Sequence, residues 1–123
     1  MVDVLVVDGS PEIREILQQT LRRTGLAIGK IHEAGDRFEA MSRLLGQVPI
    51  GVVITGINMP RMGAYKLIRS IKLSSLENVV VMIIATEQNA AEALPLGVSG
   101  CIYHPFTVDQ VRESLAGLIE PAR

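Results

Sequence analysis

The sequence has one cysteine, Cys101, so no disulfide framework or cysteine-rich zinc site can be built from it. It also lacks an excess of charge of either sign. Twelve Lys and Arg face thirteen Asp and Glu, for a net charge of −1, which gives no electrostatic reason to expect a nucleic-acid partner. Long apolar runs are missing as well. The longest, Val79–Ala85, is far below the ~20 residues that span a bilayer, and no secretory leader pattern opens the chain. These absences predict a cytoplasmic protein with no membrane partner. Aspartate is scarce too: only Asp3, Asp8, Asp36 and Asp109 are present. What remains is ordinary globular material, 48% apolar and 20% charged over 123 residues, which points to a single domain, 1–123, with a real core.

Short β-branched runs alternate with amphipathic stretches. Val4–Val7 stops at Asp8-Gly9-Ser10, and its unbroken apolarity predicts a central parallel strand covered on both faces. Ser10-Pro11 reads as a helix N-cap followed by proline at the first helical position, with Gly25 as the stop. Lys30–Ala34, Val52–Thr55, Val79–Ala85 and Gly100–Tyr103 are further expected strands. Asp36-Arg37-Phe38-Glu39 predicts a capping box opening a helix that ends near Gly46. Helices are also expected over Tyr65–Leu73, over Thr86–Leu94 ahead of Pro95, and from Thr107 through Ile119. Five strands alternating with five helices predict an α/β fold with right-handed crossovers and helices on both faces. Ligands in such sheets sit beyond the carboxyl ends of the strands, here Asp8-Gly9, Thr55-Gly56, Ala85-Thr86 and His104.

Three turn segments carry a family likeness. Val-Val-Asp-Gly-Ser-Pro-Glu-Ile-Arg (6–14), Ile-Asn-Met-Pro-Arg-Met-Gly (57–63) and Gly-Cys-Ile-Tyr-His-Pro-Phe-Thr (100–107) resemble the receiver domain of two-component response regulators. The likeness spans essentially the whole chain. It implies a flavodoxin-like, doubly wound five-stranded parallel sheet in the order 2-1-3-4-5, and a cis peptide at His104-Pro105.

The resemblance also implies a chemistry, and most of its parts are replaced here. Receivers use a carboxylate that accepts a phosphoryl group, further acids that hold Mg²⁺, a hydroxyl and a lysine. An anionic nucleophile and an anionic donor meet only where a metal and a cation neutralise the charge between them. By this likeness the acidic pair falls on Asp8 and Gly9, and the phosphoacceptor on Gly56. The hydroxyl position falls on Ala85, with Thr86 next to it and expected to point the other way, because strand residues alternate. The lysine position falls on His104, whose imidazole is shorter and mostly uncharged at neutral pH. The aromatic switch position falls on Cys101, read as a small buried apolar residue.

The resemblance therefore implies a vestigial phosphorylation site at Asp8, Gly9, Gly56, Ala85, Thr86 and His104, with no catalytic residue and no enzyme activity. Asp8 with the backbone of Asn58 is the one weak metal candidate, and Mg²⁺ is not expected to bind tightly. Asp8 is expected to be solvated or, alternatively, paired with His104. Leu94, Ile102, Tyr103, Val111 and Leu118 are expected to form a face for a protein partner, such as a histidine kinase, an effector domain or another signalling protein, with Ile119 a possible extension of that face. The expected function is a phosphorylation-independent regulatory module in two-component-type signalling. The alternative is a sensor of a small ligand or cation built on Asp8, Thr55, Thr86 and His104. Neither Gly9 nor Gly56 belongs to a nucleotide-binding loop pattern.

Overall fold

The computed structural model describes residues 1–56, 63–76, 78–86 and 97–123. Five strands, β1 (Val2–Val7), β2 (Ile28–Ala34), β3 (Ile50–Gly56), β4 (Val80–Ala85) and β5 (Gly100–Tyr103), form one parallel sheet in the order β2-β1-β3-β4-β5. The described helices are α1 (Pro11–Arg22), α2 (Arg37–Leu44), α3 (Gly63–Leu73) and α4 (Val108–Leu115). The helix expected over Thr86–Leu94 lies outside the described residues apart from Thr86, as do Pro95, Asn58 and Leu94.

The unbroken apolarity of Val4–Val7 in β1 has a direct cause. Leu5 and Val7 join Val53, Leu67, Ile68, Ile71 and Ile83 in one core, whereas Val4 and Val6 join Leu17, Leu21, Ile54, Ile102, Val111 and Leu115 in the other. Successive side chains point to opposite faces, and both faces are covered, so every position must be apolar. Each fully buried Leu, Ile or Val contributes about 1.5–3 kcal/mol relative to exposure.

Helix starts follow their sequence signals. Ser10 Oγ accepts the Ile13 N–H at 3.4 Å with Pro11 in the first turn. Asp36 Oδ1 accepts the Glu39 N–H at 2.8 Å, the forward half of the expected box. Thr107 and Gln110 make a reciprocal box at α4. Gly25 follows α1 at a φ of +73°, where a side chain would be strained.

The last helix is shorter than its apolar stripe suggests. It ends at Leu115, ahead of Gly117, and the chain turns so that Leu118 and Ile119 both donate to the Leu115 carbonyl at 2.9 Å. Ile119 is buried as a result, which corrects its reading as a partner-facing residue. An antiparallel bridge between Leu26 and Pro121 then ties the chain end beside the start of β2.

Candidate functional site

The carboxyl ends of β1, β3, β4 and β5 meet at a cleft of about 240 Å³ lined by Asp8, Ile13, Gly56, Ile84, Ala85, Thr86 and His104. Five of the six residues expected at the vestigial site therefore converge. Gly9 does not line it: it is exposed, and a Cβ there would meet only the Gly35 carbonyl, at 3.9 Å. Thr86, which follows the end of β4 at Ala85, also borders the cleft. Thr55 is fully buried and donates its hydroxyl to the Gly56 carbonyl at 3.1 Å. It is withdrawn from the cleft, which corrects its reading as a ligand group.

Asp8 is the residue that shapes the site. Its Oδ1 accepts the Ser10 N–H at 2.8 Å, fixing the turn that launches α1. Its Oδ2 reaches across to β3, so near Gly56 that a Cβ on that residue would lie 2.4 Å away. Real Cβ atoms do not keep such a contact, so a side chain at 56 would require the Asp8 carboxylate to turn aside. Asp8 is half-exposed and is not paired with His104. No hydrogen bond or ion pair joins the two. The His104 ring packs edge-on against Phe106 with centroids 5.9 Å apart, and its backbone N–H donates to Ala85 O at 2.9 Å. The His104-Pro105 peptide is cis.

Arg14 was not singled out by the sequence patterns, yet it braces the site. Its guanidinium donates through Nη1 to the Asp8 carbonyl and through Nε to Glu33 Oε1 at 3.1 Å, linking the end of β1 to β2. Ile13 and Ile84, the apolar walls, were missed as well. The available signal was position: Ile13 and Arg14 stand in the first turn of the helix that starts at the site.

The cleft offers little to a hard cation. Among the described residues, no group of three or more His, Cys, Asp or Glu stands together. Asp8 has one oxygen engaged by Ser10, and Gly9 and Gly56 supply no side-chain donor. Mg²⁺ demands near-octahedral oxygen coordination, and these residues do not fit it.

Cys101, opposite Ile83 on β4, is half-buried, and burial pushes its thiol above the ordinary value. The face expected to meet partners divides. Tyr103 and Leu118 are exposed, 50% and 39%. Ile102 and Val111 are buried between the sheet and α4, because they sit on the strand and helix positions that turn to the core, so they are not surface residues.

The profile of the response regulator receiver domain matches residues 4–116. The chain belongs to that family. It is 34% identical over 116 residues to the chemotaxis protein CheY1 of Helicobacter pylori, covering 91% of this chain and 92% of that protein. It is 32% identical over 120 residues to a chemotaxis CheY homologue of Campylobacter jejuni, covering 94% and 91%. Among solved structures, the chemotaxis response regulator CheY4 of Vibrio cholerae superposes with a TM-score of 0.79 at 25% identity, over 94% of this chain and 96% of that one. The fold and strand order of this receiver domain are thus those the turn segments imply, and receivers of this kind are signalling regulators. No helix among its described residues is long and apolar enough to cross a membrane.

Proposed function

We propose that this receiver domain works without aspartyl phosphorylation, as a protein-interaction module in two-component-type signalling. One observation carries the reading: the Asp8 carboxylate lies over Gly56, in the volume where the resemblance puts a phosphoacceptor side chain. Gly56 has no group to esterify. The described residues of the cleft present the Asp8 carboxylate without a metal-binding group of three acids, an arrangement that repels a phosphoryl donor instead of receiving one. Without phosphorylation free energy, the balance between the domain's conformations is fixed by its sequence and is shifted only by a partner that binds one of them better.

The exposed residues Tyr103 and Leu118 support a partner face at β5 and the turn after α4. The chemotaxis proteins that this chain resembles point to a signalling protein, a histidine kinase or an effector domain, as the class of partner. Its test is intact-mass spectrometry after incubation with acetyl phosphate and Mg²⁺. The mass stays unchanged on this reading, and addition of one phosphoryl group contradicts it.

A further inference from the structure

The cleft above Gly56 has the features of a small binding site. It is concave, it sits where the strand order of the sheet reverses, and its described lining combines apolar walls with one carboxylate. At about 240 Å³ it is too small for a nucleotide or most drug-sized molecules. Its charge is negative. Among the described residues Asp8 Oδ2 has no hydrogen-bond partner; the Ser10 N–H engages Oδ1. Arg14, in the first turn of α1, is spent on the Asp8 carbonyl and on the Glu33 carboxylate. Beside the carboxylate, Ile13, Ile84 and Ala85 present hydrocarbon, and the edge-packed His104 stands at the side that β5 closes.

From this arrangement we infer that the cleft binds a primary alkylammonium group, its head on Asp8 Oδ2 and its stem along Ile13, Ile84 and Ala85. A carboxylate oxygen left unpaired beside hydrocarbon favours a cation that brings its own hydrogen-bond donors, and an ammonium supplies three on a slender stem. A guanidinium is wider and wants two free carboxylate oxygens, of which Asp8 has one. An inorganic anion meets only like charge. The inference rests on the reading above, since a cleft that took up Mg²⁺ and a phosphoryl group would have its carboxylate engaged already. The same head group occurs on free short-chain amines and on lysine side chains.

The test follows backbone amide shifts of Gly9, Gly56 and Thr86 during titration of the folded protein with n-butylammonium, 1-butanol, inorganic phosphate and the peptide acetyl-Gly-Lys-Gly-amide. The expected result is saturable shifts with n-butylammonium, half-complete at about 1–10 mM. 1-Butanol should bind at least tenfold more weakly, and phosphate should leave these amides unmoved. Asp8→Asn keeps an oxygen for the Ser10 N–H and removes the charge, so it should remain folded and lose the amine response at least tenfold. A response to the peptide identifies a lysine side chain as an acceptable source, and a response to the free amine alone limits the site to small molecules. Equal responses to butylammonium and butanol, an unchanged response in Asp8→Asn, or no response to any amine overturns the inference. Phosphoryl addition in the mass experiment instead overturns the reading beneath it, so the two failures are distinguishable.

Discussion

Asp8 and Gly56 are complementary: the carboxylate of one fills the space that a side chain on the other would take, with Oδ2 only 2.4 Å from the missing Cβ. Gly56 does not need glycine for its backbone, since its φ is not positive. Among the described residues, the close contact a substitution would make is with Asp8. Gly56→Ala should therefore force Asp8 to rotate and loosen its 2.8 Å bond to Ser10, lowering stability by about 1–2 kcal/mol. In an Asp8→Ala background the same change should be neutral or stabilising by about 0.4–1 kcal/mol, because the unfolded chain then loses freedom at no steric cost. Urea melts of the four proteins check this, and equal costs in both backgrounds would refute it.

Gly9 stands beside Asp8 in sequence but not in circumstance. Its Cβ position is open apart from a carbonyl 3.9 Å away. Gly9→Asp should be accommodated within about 0.5 kcal/mol. Gly56→Asp, which adds a second carboxylate against Asp8, should cost more than Gly56→Ala. Thermal denaturation at pH 7 ranks the three.

A second carboxylate over a glycine occurs at the opposite end of the sheet. Asp3 sits where the register of β1 shifts, 2.4 Å from the Cβ position of Gly29, and accepts the Lys30 N–H at 2.9 Å while contacting His32 Nε2 at 3.2 Å. The Lys30 N–H, and after it His32, hold the Asp3 carboxyl below its ordinary value. A depressed carboxyl contributes stability that is fully present above the unfolded value of 3.8 and is lost as pH falls through the lower folded value. Asp3→Asn should thus reduce stability at pH 7 by about 1–2 kcal/mol and flatten the acid limb of the stability curve below pH 4. An acid limb unchanged by the substitution would contradict the assignment.

Arg14 supports the loop that places Asp8. Arg14→Met keeps much of its length and removes both links, so it should cost about 1–2 kcal/mol. Glu33→Gln, whose side chain is 46% exposed, should cost less than about 1 kcal/mol. Chemical denaturation of the two variants decides whether the Asp8 carbonyl or the ion pair is the larger part.

Cys101 should behave as a packed thiol. Burial holds its pKa up, so the thiolate that reacts with disulfide reagents is scarce at pH 8. Native protein should react at least tenfold more slowly than protein in urea, with the rate still rising beyond the ordinary thiol range. A fast native rate at pH 8 would place Cys101 in a different, reactive setting.

Much of this was legible in the sequence, and the exceptions have physical reasons. The central strands announce themselves through largely apolar runs such as Val4–Val7 and Val79–Ala85, and Ser10-Pro11, Asp36 and Thr107 mark helix starts because each of Ser10, Asp36 and Thr107 supplies an oxygen to an orphan N–H. Convergence of Asp8, Gly56, Ala85, Thr86 and His104 follows from their places at strand ends. The direction of the Asp8 carboxylate is not written in any local pattern, because it depends on a vacancy in β3, which is distant in sequence. The bracing by Arg14 is a contact across 19 positions and leaves no periodic signal. Ile102, Val111 and Ile119 were assigned outward because an apolar stripe does not say how much of itself the sheet covers. The turn after Leu115 rolls Ile119 inward.

The central claim, that this cleft does not take up a phosphoryl group, is tested most directly by adding beryllofluoride with Mg²⁺ and recording the amide spectrum. The account predicts that Gly9, Gly56, Thr86 and Cys101 keep their positions, whereas a stoichiometric, saturable shift centred on Gly56 and reaching Cys101 would contradict it.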